Sequence, residues 1–188
     1  SCLKKLMEPG TDASKVSFFM PDHNGPCRFG QYNQFHRILF DRLGYKKAEL
    51  ITPSNDTSHE DIAGEHSQKF RINAWRGFVV FDYLRKLYRE TRPYELNKGE
   101  TDRKYEESLR KLEHCIESGS AGLHNTLKGI AVEFMNIRVD KTRRKPVVGI
   151  LGEIFMRDNA GCNGNIANRL EELGVEVVIG PFSEWITY

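Results

Sequence analysis

Residues 146–181, PVVGILGEIFMRDNAGCNGNIANRLEELGVEVVIGP, decide the fold class of this chain. Two short aliphatic runs, 147–151 and 175–179, are typical of buried β-strands. The amphipathic helix predicted between them ends at Gly174, where a left-handed cap is expected. Its apolar positions are Ile166, Leu170 and Leu173. This order of strand, loop, helix and strand predicts parallel pairing through a crossover helix.

The beginning of the chain repeats this order. Residues 15–20 (KVSFFM) predict a strand, residues 22–30 a turn-rich loop, and residues 48–52 (AELIT) a second strand. The helix between them has its predicted core positions at Tyr32, Phe35, Leu39 and Leu43. We therefore expect an α/β protein with two Rossmann-like or flavodoxin-like parallel-sheet halves.

A helical insert is predicted between the two halves. Its first helix, 72–87, is apolar on more than one face and is expected to be buried, and Pro93 follows its end. Thr101 is the predicted N-cap of the second helix. The apolar positions of the three helices are Trp75, Phe78, Val79, Phe81 and Leu84, then Tyr105, Leu109, Leu112 and Ile116, then Leu123, Leu127, Ile130, Phe134 and Ile137.

This pattern divides the chain into three segments. Residues 1–66 form the first α/β half, residues 67–140 the helical insert, and residues 141–188 the start of the second half. The chain begins on Ser1 and stops shortly after a predicted strand. We therefore expect a fragment of a larger protein.

The composition excludes several classes of partner. The 28 basic and 26 acidic residues give a formal charge of +2, which lacks the strong positive field of a dedicated nucleic-acid binder. No apolar run reaches the roughly 20 residues that span a bilayer, and no secretory signal is recognisable. We expect a cytoplasmic protein with neither nucleic-acid nor membrane partners.

The candidate site residues lie in the two loops that follow the first strand of each half. Ligands of parallel α/β sheets bind at the carboxyl ends of the strands. Each loop carries a cysteine just ahead of a helix, whose N-terminal N–H groups favour a thiolate. We expect both loops to open onto one edge of parallel sheet. The candidates are Gly25, Cys27, Arg28 and Gly30 in the first loop, and Glu153 and Cys162 in the second.

Other interpretations of these residues stay open. Cys27 and Cys162 can be small buried side chains, and Glu153 an exposed carboxylate with no role. The basic run 141–145 can bind phosphates of coenzyme A or serve as a solvated connector. Dinucleotide, P-loop, zinc-protease and serine-hydrolase motifs are absent from the sequence. Neither Cys2 nor Cys115 has a role that its spacing indicates.

Segments along nearly the whole chain resemble the C-terminal region of CoA-substrate-specific enzyme activases, relatives of 2-hydroxyacyl-CoA dehydratases and their ATP-dependent activators. The most specific segment is GPCRFGQY, residues 25–32. The matching segments are FFMPDHNGPCRFGQYNQFHRILFDRLGY, AWRG, RPYELNKGETD, PVVGILGEIFMRDN and LEELGVEVVIGPFSEWITY.

The resemblance implies an anaerobic redox protein in which an actin/Hsp70-like ATPase module delivers an electron to an iron–sulfur dehydratase-like module. This chain resembles part of the second module, with the ATPase module as partner and acyl-CoA as a candidate ligand. Cys27 lies in a matching segment and is the implied cluster ligand. Relatives have a different loop after GEI, so a cluster role for Cys162 rests on the internal symmetry. The ATPase motifs are absent from this sequence, and the chain is not expected to be active alone.

A second hypothesis needs no cluster. The chain can be a docking scaffold whose helical insert packs against another module or a second copy. Exposure of Trp75, Phe78 and Phe81 would favour this scaffold, whereas full burial would assign them to the local core.

Overall fold

A computed structural model describes residues 2–23, 25, 28–54 and 64–184. The chain divides into two compact units, Ser1–Arg71 and Ile72–Tyr188. In the described ranges each unit contains one pair of parallel strands, so the fold is mixed α/β with two small parallel sheets. The strand pairs belong to separate sheets, which differs from the single sheet edge expected from the sequence.

The first unit is a strand–helix–strand arrangement preceded by a short helix. Helix α1 (Cys2–Leu6) leads to strand β1 (Ser17–Phe19), helix α2 (Tyr32–Arg42) and strand β2 (Glu49–Ile51). Strands β1 and β2 are parallel, with Phe18 opposite Leu50. The predicted order and the parallel pairing of this half are confirmed.

The face of α2 that enters the core differs from the predicted one. Phe40 is fully buried and its ring lies 5.3 Å from that of Phe18. Phe35 and Leu43, which were predicted core positions, are exposed. The Arg37 guanidinium donates to the Ala48 carbonyl at 2.8 Å. This bond holds the side of α2 that carries Arg37 and Phe40 against the start of β2, so the stripe with Phe35 faces outward.

Three helices build the core of the second unit. They are α3 (Ser67–Thr91), α4 (Glu100–Glu117) and α5 (Leu123–Met135). Their buried core consists of Val80, Leu84, Leu112, Ile130, Phe134 and Ile137. The predicted stripes of α4 and α5 pack against this core, which confirms them. Helix α3 ends at Thr91, next to Arg92 and Pro93, as predicted.

Helix α3 is less buried than its composition predicts. Phe78 and Phe81 are each 39% exposed, and Trp75 is half-buried. The buried residues of α3 are Val80, Asp82 and Leu84. A helix that is apolar on several faces needs neighbours on all of them, and in the described part of the second unit Phe78 and Phe81 lie where α3 is only partly covered.

The N-terminus of α4 is capped differently from the prediction. Its N-cap is Gly99, with a φ of 82°. The two carboxylate oxygens of Glu95 accept the N–H groups of Gly99 at 2.9 Å and Thr101 at 2.8 Å. Because Glu95 supplies the acceptors that a capping hydroxyl would provide, Thr101 lies inside the helix, fully buried.

The second parallel pair closes the unit. Strand β3 (Val147–Ile150) and strand β4 (Glu176–Ile179) are parallel and joined through helix α8 (Ile166–Glu172), as predicted. Two short helices, α6 (Ile154–Asp158) and α7 (Ala160–Asn163), occupy the predicted loop.

These two helices form because side chains cap them. The Glu153 carboxylate accepts the Met156 N–H at 2.9 Å, and the Asn159 side chain accepts the Cys162 N–H at 3.2 Å. Such caps satisfy N–H groups that a helix of one turn otherwise leaves free.

Candidate functional site

The loop after β1 starts directly over the carboxyl end of the first parallel pair. The Met20 N–H donates to the Ile51 carbonyl, and the Asp22 N–H donates to the Pro53 carbonyl, both at 2.9 Å. These bonds continue the parallel ladder beyond both strands. The chain therefore enters the Asp22–Gly30 loop at the edge where parallel α/β sheets bind ligands.

Two described glycines of this loop lie close to His23. Gly30 is buried, and a Cβ atom there would overlap the His23 carbonyl oxygen. A Cβ atom on Gly25 would overlap the His23 imidazole. Glycine is required at Gly30 in particular, because the obstruction is main chain and cannot rotate away.

Of the remaining candidates in the first loop, Arg28 is described by the structure and Cys27 is not. Arg28 is exposed and begins a short 3₁₀ turn, Arg28–Gln31, that leads into α2. Cys27 lies outside the described residues, although Gly25 and Arg28 on either side of it are described. A ligand role for Cys27 stays a prediction.

The second loop places its candidates in the short helices. Glu153 uses one carboxylate oxygen to cap α6, which gives this side chain a structural role. Cys162 is an exposed free thiol inside α7. Its N–H group is bound to Asn159, so this group is not available to a ligand. Cys162 was expected just ahead of a long helix, but it lies within the short helix α7.

The described residues do not form a metal or cluster site by themselves. No group of three or more His, Cys, Asp and Glu side chains converges anywhere in the described ranges. Cys115 is half-buried and lines a cavity of about 570 Å³ between α4 and α5. A cluster on Cys27 therefore needs ligands from beyond the described residues.

The basic run 141–145 packs partly against one tyrosine. The ammonium groups of Lys141 and Lys145 lie 5.1 Å and 5.8 Å from the centre of the Tyr94 ring. Arg143 and Arg144 are exposed. The two lysines therefore have an intramolecular contact that stabilises the approach to β3.

A network of arginines and carboxylates lies at the carboxyl end of β3 and β4, and the sequence analysis missed it. Asp82, Arg85, Arg89 and Arg92 recur at spacings of three, four and three along α3 and its end, so they share one face. That spacing was the available signal. The apolar residues of α3 give a stronger periodic signal, which hides this spacing in the sequence.

Asp82 joins α3 to the segment that follows β4. Its carboxylate accepts the N–H groups of Phe182 at 2.9 Å and Ser183 at 2.7 Å. Arg85 donates to the Asp82 carboxylate and to the Gly180 carbonyl, both at 3.0 Å, and also binds Asp158. The N–H groups that follow a strand in an α/β fold often bind an anion, and here the Asp82 carboxylate accepts them.

Glu171 of α8 joins the second half of the network. Its buried carboxylate pairs with Arg89 at 2.7 Å and with Arg92. Arg92 also contacts Asp102 at 2.9 Å, and the Tyr88 hydroxyl donates to Asp102 at 2.7 Å. Burial, reinforced by the Asp102 hydrogen bond, raises the pKa of Tyr88.

The network encloses a cavity of about 460 Å³ between α3, α4 and the α6–α8 segment. Four arginines belong to it, and four carboxylates pair with them. They are Arg85, Arg89, Arg92 and Arg157, and Asp82, Asp102, Asp158 and Glu171. Among the described residues these charges cancel and leave no excess cation for an anionic ligand, so the chemistry of the network fits the task of holding α3 against the second parallel pair.

Comparison with known proteins identifies no relative: no family model matches the chain, and no curated protein or solved structure is significantly similar to it. The family named above therefore stays a resemblance of sequence segments. None of the helices in the described ranges has the length and apolar character needed to cross a bilayer.

Proposed function

We propose that this chain contributes to cluster binding and electron transfer in an anaerobic, cytoplasmic iron–sulfur redox protein related to 2-hydroxyacyl-CoA dehydratases and their activases. Cys27 would be its cluster ligand, and two Rossmann-like halves its framework. The chain would act together with an actin/Hsp70-like ATPase module. The observation that supports the proposal most is the close approach of Gly30 to the His23 carbonyl, next to the carboxyl end of the first parallel pair.

The loop has three properties that suit a cluster ligand. It starts at the carboxyl end of a parallel pair, where α/β proteins bind cofactors. Its glycines permit close approach of main chain, whose N–H groups stabilise cluster sulfides. Arg28 adds a cation that lowers the energy of a neighbouring thiolate.

Anaerobic reconstitution with ferrous iron and sulfide tests this proposal. Reconstituted together with the rest of the dehydratase-like module, which would supply the other ligands, the chain should acquire bound iron and a broad visible absorbance from sulfide-to-iron charge transfer. Cys27→Ser should lose most of both signals, because a serine hydroxyl replaces the thiolate ligand.

Cys115→Ser is the matched control. Its thiol lines a cavity between two helices, and the proposal gives it no ligand role. It should reconstitute as the unaltered chain does. Equal iron and absorbance in Cys27→Ser and the unaltered chain would refute the ligand role of Cys27.

A docking scaffold is the second candidate function, and the exposure of α3 favours it. Phe78 and Phe81 are each 39% exposed, although aromatic residues of a fully covered helix would be buried. Phe78 already contacts the Phe182 ring at 4.4 Å, so part of its surface has a partner. The partner in this hypothesis is the ATPase module.

Binding to a separately produced ATPase module of the resembled family tests the scaffold. Phe81→Ser should weaken binding at least about tenfold if this face docks, since a buried aromatic anchor contributes strongly to an interface. Phe155→Ser, an exposed aromatic residue of α6, serves as the control and should bind normally. Equal binding by both variants would contradict docking through α3.

A further inference from the structure

We propose that the cavity of about 460 Å³ between α3, α4 and the α6–α8 segment binds the base of a guanine nucleoside, with Arg157 at the acceptor edge of the base and Glu106 at its donor edge. The proposal concerns a different part of the chain from the candidate cluster loop and requires no iron. It rests on hydrogen-bond donors that lack acceptors, on a carboxylate that lacks a counter-ion and on aromatic walls.

The cavity has the size and the lining of a small-molecule site. Such sites enclose roughly 300–1,000 Å³ and combine apolar walls with a few polar groups. The aromatic part of the lining comes from Phe81, Tyr88 and Tyr105, and Ala167 and Ile179 add aliphatic surface. The centres of the Tyr88 and Tyr105 rings lie 4.6 Å apart. Walls of this kind favour a planar ligand, because flat rings stack on aromatic side chains.

The charges of the arginine–carboxylate network cancel, but its hydrogen-bond donors and acceptors do not. Each arginine carries five N–H donors. The four carboxylates already accept bonds from arginines, from a tyrosine hydroxyl or from main-chain N–H groups. Two arginines of the lining, Arg89 and Arg157, nevertheless keep donors that have no acceptor in the described ranges. A ligand of this cavity is therefore expected to supply acceptor atoms.

Arg157 provides a pair of such donors. Its side chain is 13% exposed, and its Nε contacts the Asp158 carboxylate at 3.4 Å. Its two terminal nitrogens donate to no other described residue. Gly180 leaves space for this guanidinium, because a Cβ atom there would lie 3.2 Å from Nη1. A guanidinium that has lost most of its water gains free energy from an acceptor pair on a ligand.

Glu106 provides the complementary acceptor. It lies on α4, exposed and in the lining of the cavity, and no described residue forms an ion pair or a hydrogen bond with its carboxylate. Its charge adds to a network that is neutral without it. An anionic group on a ligand is therefore repelled, whereas an N–H donor on a neutral ligand is attracted.

A guanine base matches this distribution of donors and acceptors. Its O6 and N7 atoms form the acceptor pair that an arginine fork binds with two bonds. Its N1–H and 2-amino groups are donors that one carboxylate can accept together. Adenine carries an amino group where Arg157 requires an acceptor, and it has neither an N1–H nor a 2-amino group for Glu106. The cavity therefore distinguishes the two purines at both edges.

Equilibrium dialysis of the 188-residue chain against radiolabelled guanosine tests the assignment. We expect one saturable site with a dissociation constant of roughly 0.1 mM, which is ordinary for a ligand of this size. Adenosine should compete at least about tenfold more weakly, because it lacks the acceptor pair. Guanosine monophosphate should bind no more tightly than guanosine, because the lining offers no excess cation to its phosphate.

Inosine and Glu106→Gln together test the donor edge. Inosine lacks the 2-amino group, so the unaltered chain should bind it about tenfold more weakly than guanosine. In Glu106→Gln this preference should fall below about threefold, because a neutral amide replaces the carboxylate. Glu107→Gln is the matched control, because Glu107 is the next residue of α4, pairs with Lys104 and does not line the cavity. It should keep the full preference.

Arg157→Lys tests the acceptor edge. Lysine keeps the charge but loses the planar fork, so the dissociation constant of guanosine should rise about tenfold. Circular dichroism and the thermal midpoint check that each variant remains folded. The proposal would be overturned by the absence of saturable guanosine binding up to about 1 mM, tenfold above the expected constant. Equal binding of guanosine and adenosine, or an unchanged preference in Glu106→Gln, would overturn it as well.

These results are independent of the cluster proposal, since the dialysis uses neither iron nor sulfide.

Discussion

At the residue scale, two features bear on local structure: the lack of space for a Cβ atom at Gly30, and a buried hydroxyl on Thr101 that lacks a hydrogen bond within the described ranges. Gly30 lies beneath the His23 carbonyl, where any Cβ atom would overlap main chain. Thr101 is fully buried, and its hydroxyl has no hydrogen-bond partner among the described residues. The sequence indicated a turn at Gly30 but not the residue it approaches, because the approach depends on how the loop closes.

Gly30→Ala should destabilise the first unit by roughly 1–3 kcal/mol, since the added methyl must displace main chain. Gly129→Ala is the matched control, because Gly129 lies in α5 with open space around it. That substitution should stabilise the helix by about 0.5–1 kcal/mol. Urea unfolding measures both changes, and an unaltered stability of Gly30→Ala would show that Gly30 does not approach the His23 carbonyl so closely.

Thr101→Val should leave stability unchanged or raise it by about 1 kcal/mol, because valine has the same shape and removes an unsatisfied hydroxyl. Ser108→Ala should instead cost about 0.5–1.5 kcal/mol, because its hydroxyl donates to the Lys104 carbonyl at 2.7 Å. Both positions are buried in α4. The opposite order of the two unfolding free energies would contradict the assigned hydrogen bonds.

At the scale of elements, periodicity predicted those helices that pack against one another and missed those that caps create. The stripes of α4 and α5 were correct because both helices face the same core. Helices α6 and α7 were missed because Glu153 and Asn159 stabilise them through side-chain caps. The predicted core face of α2 was wrong, because a tertiary contact determines which side of this helix faces the core. That contact is the hydrogen bond from Arg37 to the Ala48 carbonyl.

Glu171→Ala tests the link between α3 and α8. The change should cost roughly 3–5 kcal/mol of unfolding free energy, because Arg89 and Arg92 are left without their buried counter-charge. Glu172→Ala, at the exposed neighbouring position, should change stability by less than about 0.5 kcal/mol. Similar costs for the two variants would mean that the network does not join these helices.

At the scale of the whole molecule, the sequence predicted the mixed α/β class and both parallel pairs, but not the network that completes the second unit. Parallel pairing follows from local order along the chain. The contacts of Asp82 with Phe182 and of Arg92 with Glu171 join residues far apart in sequence. These contacts form only when the helices and the sheet pack together, so local sequence patterns do not indicate them.

The stability of the second unit should fall in acid partly through Asp102. Burial opposes its ionisation, but the Tyr88 hydrogen bond and the Arg92 charge outweigh burial and lower its pKa from 3.8. A carboxyl group whose pKa is lower in the folded state than in the unfolded state stabilises the fold at pH values above the unfolded-state pKa. This stabilisation is lost as the pH falls through the folded-state pKa.

Asp102→Asn should therefore flatten the decline in unfolding free energy between about pH 5 and about pH 2, because the titrating group is gone. Urea unfolding at several pH values measures the slope for both proteins. Parallel slopes for the variant and the unaltered chain would assign the acid sensitivity to other carboxylates.

Iron K-edge absorption spectroscopy of the chain, reconstituted together with the rest of the dehydratase-like module, tests the proposed cluster role most directly, because it reports the atoms bound to iron. With Cys27 intact, we expect a shell of sulfur neighbours and an iron–iron distance typical of a cluster. Cys27→Ser should lose both features. A shell of oxygen and nitrogen alone in the unaltered chain, or a sulfur shell that persists in Cys27→Ser, would contradict the account.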